Sequence, residues 1–159
     1  MSTFRQNLLS ELATDLLKVT VANGYNHTIT TAYRGFVDLS DSIALPNWFY
    51  MLGSEPLKPA NEAQTLYECD CDFAIGCNFG VNADPNNTGL LGDEAEKIIA
   101  DIKGFVHSWY ANAFNYSVIQ NKDSNKYAQS VNIDAIEPIL DYQENKGTIL
   151  VYAKIKYYE

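Results

Sequence analysis

Cys69, Cys71 and Cys77 crowd one short stretch of the chain, and thiolates are among the side chains that bind zinc most readily. Zinc asks for tetrahedral sulfur ligands at about 2.3 Å, whereas residues two apart on a straight strand stand roughly 7 Å apart at Cα. The spacing matches none of the paired-cysteine zinc patterns. His27 and His107 are the two imidazoles that could complete such a site, and nothing in the sequence brings either one near. The cysteines read as free thiols used as small core hydrophobes in a reducing compartment.

Asp84-Pro85-Asn86-Asn87-Thr88-Gly89 imitates the start of a calcium loop, with oxygen-bearing side chains at alternate positions and glycine in the sixth place. The bidentate glutamate that closes such a loop should stand at residue 95, and that residue is Ala95. Glu94 and Glu96 flank it but belong to a helix start. An Asn-rich turn is the better account. Neither histidine sits in a Ser or Cys nucleophile motif. Gly76, Gly80, Gly89 and Gly92 are too irregularly spaced to cradle a phosphate. With no convergent set of His, Cys, Asp and Ser, the expectation is a protein without catalytic residues, metal or cofactor. The N-x-S/T sequons at Asn26, Asn86 and Asn115 have meaning only in a secreted chain.

A length of 159 residues with 47% apolar content suits one domain with a real core. The formal charge of −9 argues against a nucleic-acid binder, which needs a basic face to displace phosphate counterions. Arg5, Lys18, Arg34 and Lys58 are scattered, and only Lys154 and Lys156 lie close together. No run of 18 apolar residues appears, so no membrane span is expected. The N-terminus reads as an amphipathic helix rather than a signal peptide, which suggests a protein made and kept in the cytosol.

The clearest element is Gly92 to Trp109. Asp93 and Glu96 have capping-box spacing, and Ala95, Ile98, Ile99, Ile102, Phe105, Val106 and Trp109 recur at helical spacing. Asp93 and Lys97 stand four apart in the favourable order. Thr3-Phe4-Arg5-Gln6 opens a first helix with Phe4, Leu8, Leu12, Leu16 and Val19 as its stripe, and Asn23-Gly24 stops it. Tyr25–Arg34 reads as a strand, residues 35–44 as a polar bend, and Trp48–Leu52 as a short interior strand. Residues 55–64, with Pro56 and Pro59, read as loop. Leu66–Phe79 is the longest strand, with Cys69, Cys71, Phe73, Ile75 and Cys77 on one face and Glu68, Asp70 and Asp72 on the other. Gly80–Leu91 is a long polar loop, and Ser117–Gln120 is compatible with a short strand. Val131–Leu140 and Thr148–Tyr158 form a final hairpin through residues 144–147, with Ile149, Val151, Ala153, Ile155 and Tyr157 inward. The predicted fold class is α+β: a mostly antiparallel sheet packed by an N-terminal helix (about 3–22) and a central helix (about 93–110), ending in a β-hairpin. Aromatics such as Trp109, Tyr110, Tyr152 and Tyr158 should pack in the core or, where left uncovered, mark a subunit contact. The acidic row Glu68, Asp70, Asp72 reads as a solvated face, or in a ring as a lumen lining.

The order of these segments resembles the tail terminator proteins of long-tailed bacteriophages. The features that carry the resemblance are the amphipathic N-terminal helix, then Tyr25-Asn26 and a strand. Leu45-Pro46, a short apolar strand and Gly53-Ser54-Glu55 follow. A long strand leads to the Gly92-Asp93-x-Ala95-Glu96-Lys97-x-Ile99-x-Asp101-Ile102 helix and a Tyr-rich closing hairpin. The segment Asn112–Ser130 is longer and more polar than the family leads one to expect, and the cysteines fit no family pattern. The resemblance implies a non-enzymatic virion protein forming a ring, usually a hexamer, at the head-proximal end of the tail tube. Its implied partners are further copies of itself, the tail tube protein and a neck or head-completion protein, with DNA passing through the lumen unbound and no membrane involved. The polar loop 81–91 (Asn82, Asp84, Asn86, Asn87) and the Pro-bounded loop 55–64 (Glu55, Lys58) are the candidate subunit or partner contacts. Two other readings remain open: another head–tail connector, completion or tail tube ring protein, and, in a different class, a small α+β ligand-binding domain or enzyme.

Overall fold

The computed structural model describes residues 4–54, 56–59, 61–63, 67–113 and 128–158. Helix α1 covers Phe4–Leu16, and helix α2 covers Leu90–Ala113. The strands are β1 Ala32–Arg34, β2 Asn47–Leu52, β3 Leu57–Pro59, β4 Tyr67–Gly80, β5 Ala128–Asp141 and β6 Lys146–Tyr158. They form one sheet in the order β1-β2-β4-β6-β5, with β3 paired to the far end of β4. Every pairing is antiparallel except β1 with β2. The fold is α+β and closes with the β5–β6 hairpin, as the sequence predicts.

Alternation along β4 and β6 decides which face meets the helices. Cys69, Cys71, Phe73, Ile75, Cys77 and Phe79 from β4 join Ile149, Val151, Ala153, Ile155 and Tyr157 from β6 in one buried cluster. Leu12 and Leu16 of α1, and Leu91, Ala95, Ile98, Ile99, Ile102, Phe105, Val106 and Trp109 of α2, complete it. A chain of ring contacts runs through this layer, with Trp109 edge-on to Phe73 at 5.6 Å and stacked on Phe105 at 6.0 Å. Trp109 also donates its indole N–H to Asp15 of α1 at 3.1 Å, which links the two helices.

A smaller cluster lies on the opposite face: Phe49 and Leu150 from the sheet and Val37 from the crossover joining the parallel β1 and β2. Asn78 fixes this crossover by donating its side-chain amide to the Val37 carbonyl at 2.8 Å and to Asn47 at 3.0 Å, while accepting from Thr148 at 2.6 Å. These are buried polar groups with their partners supplied. Gly76 lets the Phe49 ring lie flat on β4, because a Cβ there would stand 2.2 Å from Phe49 Cζ. Thr148 faces away from the helices, as its place in the alternation predicts, yet it is buried by this strap.

Several boundaries differ from the sequence reading, most of them for a local reason. The first helix ends at Leu16 rather than about residue 22. Thr20 turns extended and caps a separate 3-10 turn, Val21–Asn23, which Gly24 closes at φ +91°. The Thr3 half of the proposed capping box lies outside the described residues. The strand expected over 25–34 contracts to β1, because the N–H groups of Asn26 and His27 donate to Asp101 instead of to a neighbouring strand. The loop expected over 55–64 contains β3, an edge strand that ends at Pro59, where a missing N–H is tolerated.

The second helix begins at Leu90 and runs to Ala113, beyond the expected 93–110. Gly89 accepts the first helical bond, from Asp93 N–H at 3.0 Å, so Asp93 is a first-turn acid favoured by the helix dipole and not the cap. Strand β5 starts earlier than Val131 and matches β4 at 14 residues. The strand suggested for Ser117–Gln120 lies outside the described residues.

Candidate functional site

The densest polar cluster gathers around His27, a residue the sequence left unplaced. Its Nδ1 lies 2.7 Å from Asp101 Oδ2, and its Nε2 contacts Glu94 Oε1. Asp101 is only 2% exposed. It also accepts the backbone N–H of His27 at 2.9 Å, the backbone N–H of Asn26 at 2.8 Å and the Asn26 side-chain amide at 3.0 Å. The buried carboxylate thus has its lone pairs filled, which is what makes its burial tolerable. Trp48 covers the imidazole, with ring centroids 5.9 Å apart.

Chemically the cluster is a clasp. Both ring nitrogens of His27 are engaged by carboxylates, so neither is left to activate a nucleophile or ligate a metal. Cys77 lies close enough to feel the same charges. Burial, reinforced by Glu94 and Asp101, pushes its thiol well above the ordinary value and keeps it in the protonated, unreactive form. Cys69 and Cys71 are buried along the same face. Among the described residues no group of three or more His, Cys, Asp and Glu is placed to hold a metal ion. His107 is exposed on α2. A signal for the clasp was present in the sequence: Glu94 and Asp101 are two helical turns apart and share a face, and Asp101 interrupts the apolar run between Ile98 and Phe105.

The proposed contact residues fall in two places. Asn82, Asp84, Asn86 and Asn87 are all exposed. Asp84 Oδ1 accepts Asn86 N–H at 2.9 Å, and Asn87 Oδ1 accepts Gly89 N–H at 3.1 Å, so these oxygens shape turns. Val81 N–H donates to Asn145 at 2.9 Å, which ties the loop to the hairpin turn. Lys58 is exposed on β3, opposite Glu68; Glu55 lies outside the described residues. The two sites are not brought together. They stand at opposite ends of β4, about 40 Å apart at the rise of an extended strand.

The acidic row is less negative than its sequence suggests. Lys156 pairs with Glu68 at 2.6 Å and holds its carboxyl below the usual range, while Lys154 lies 3.8 Å from Asp72 and 3.9 Å from Asp134. Beyond this charged half, the same face turns apolar. Tyr33, Phe36, Ile139 and Tyr152 are all exposed there. No described helix is long and apolar enough to cross a membrane. In comparisons with known proteins, no protein-family model and no curated protein matches the chain.

Proposed function

We propose that this chain is a structural ring protein of a long-tailed bacteriophage, a tail terminator that caps the head-proximal end of the tail tube. The observation that carries the reading is the division of the sheet. One face is consumed by helix packing, while the other leaves aromatic and aliphatic side chains in solvent at both edges. Exposed apolar surface of this kind suits assembly. The groups with chemical potential are spent internally, His27 in its clasp and the cysteines in the core. The order of elements also follows the order on which the family resemblance rests.

In this reading the ring stops tube growth and offers a docking face to the head. Loops at opposite ends of β4 suit a protein that must meet the tube on one side and the neck on the other. The acidic balance of the chain favours passage of DNA without adhesion. The test is deletion of the gene from its phage. Headless tails with overgrown tubes are expected; infectious particles with tails of normal length would contradict the assignment.

A further inference from the structure

The carboxylates on either side of His27 ask one imidazole ring for two protons. Asp101 Oδ2 faces Nδ1 and Glu94 Oε1 faces Nε2, and an ionised carboxylate can only accept. A neutral imidazole has one N–H to give, so both bonds stand together only while the ring is an imidazolium. An imidazole is ordinarily more basic than a carboxylate, which keeps the second proton on the ring. The two ends differ in their access to water. The Asp101 side chain is 2% exposed, while those of His27 and Glu94 are 17% and 27% exposed. Asp101 is also committed to three N–H groups of Asn26 and His27, so it stays in place when the ring changes charge.

The other groups around the ring leave Glu94 as the part that moves. Cys77 of β4 presents a neutral thiol, held so by burial and by the two carboxylates. Trp48 of β2 brings an uncharged ring, with centroids 5.9 Å apart. Tyr25 is turned toward Gly104. Lys97 of α2 is exposed, and its carbonyl accepts the Asn26 side-chain amide at 3.4 Å. It stands three residues after Glu94 on the same helix face, where its ammonium is a second partner for that carboxylate. We propose that the Glu94–His27 contact is a proton-operated latch. It is closed while Nε2 carries a proton and opens when that proton passes to water, with Asp101 keeping Nδ1–H in both states. Opening leaves the segment 25–31 tied to α2 through the Asp101 carboxylate and the Lys97 carbonyl, and turns a free carboxylate toward Lys97 and solvent near the start of α2. The latch works whether or not the chain assembles into a ring.

The test uses the whole chain, labelled with nitrogen-15, and reads the histidine ring nitrogens by NMR from about pH 5 to about pH 9. Both nitrogens of His27 should carry protons at the acid end, and only Nδ1 at the alkaline end. His107, exposed on α2, serves as the reference. The backbone amides of residues 93–97 should shift in step with loss of the Nε2 proton, because the latch opens at that point. Glu94→Gln should abolish that shift, since a side-chain amide can accept from Nε2–H and, turned over, can donate to a bare Nε2. Circular dichroism checks that the variant is folded, and the parent's own ring spectra stand as an independent measurement should it misfold. A neutral His27 ring at the acid end, a ring still doubly protonated at the alkaline end, or loss of the proton from Nδ1 would each overturn the latch. So would amides at 93–97 that stay still while Nε2 is deprotonated, or a Glu94→Gln protein that keeps the parent's amide shift.

Discussion

Asp101 holds His27 twice, at the backbone N–H (2.9 Å) and at ring Nδ1 (2.7 Å), across 74 residues of chain. The segment after Gly24 thereby leaves the helix region on a fixed path and enters β1 beside β2. Asp101→Ala removes four of the clasp's hydrogen bonds at once and leaves only the Glu94 contact to His27. It should cost about 3 kcal/mol, as expected for breaking a buried charged network. Urea denaturation measures it; a loss under about 1 kcal/mol would show that the clasp is incidental to stability.

The three thiols should be slow to react in the folded protein. Burial and the neighbouring carboxylates raise the Cys77 ionisation above its ordinary 9.0. A raised value means the neutral thiol is the form the fold favours. Its stabilising contribution is therefore present below the unfolded value and is lost as pH rises through the folded one. Alkylation near pH 9 should run at least about a hundredfold slower in native than in urea-unfolded protein. Fast native modification of all three would place the wrong sheet face inward.

Gly76→Ala tests the contact between β2 and β4. The new Cβ would overlap the Phe49 ring and should destabilise by about 2 kcal/mol. Phe49→Leu removes the ring, so the pair of substitutions should cost less than the sum of the two alone. Strict additivity would mean that the ring does not rest on this glycine.

The loop from Val81 to Gly89 exceeds the usual connector of about 4–6 residues. Its side chains make turns within the loop, and its first residue is tied to the hairpin turn. Replacing Asn82–Thr88 by a tight turn should leave circular dichroism unchanged while impairing ring formation or docking onto tubes. Normal tails of normal length in a phage carrying the deletion would remove the loop from the mechanism, and unfolding would make it structural.

Much of the fold was legible because burial imposes period. The inward rows of β4 and β6 and the stripe of α2 follow directly from alternation and from helical spacing. Where the reading missed, tertiary bonds had overruled local preference. Thr-rich residues 25–31 look extended, yet Asp101 draws their backbone out of any ladder. Pro56 and Pro59 mark a loop in isolation, but an edge strand begins just after Pro56 and accepts Pro59 at its end. Gly89 takes the capping role that Asp93 advertises. The candidate site was the least legible part, since the His27 clasp and the two-edged apolar face both join segments distant in sequence.

The central claim is that this chain acts as a closed ring. Light scattering coupled to size exclusion, with negative-stain images of the same fraction, measures it directly. The account predicts a particle of about six chain masses with rotational symmetry and a central opening. A monomer at every concentration tested, or an open filament without closure, would contradict it.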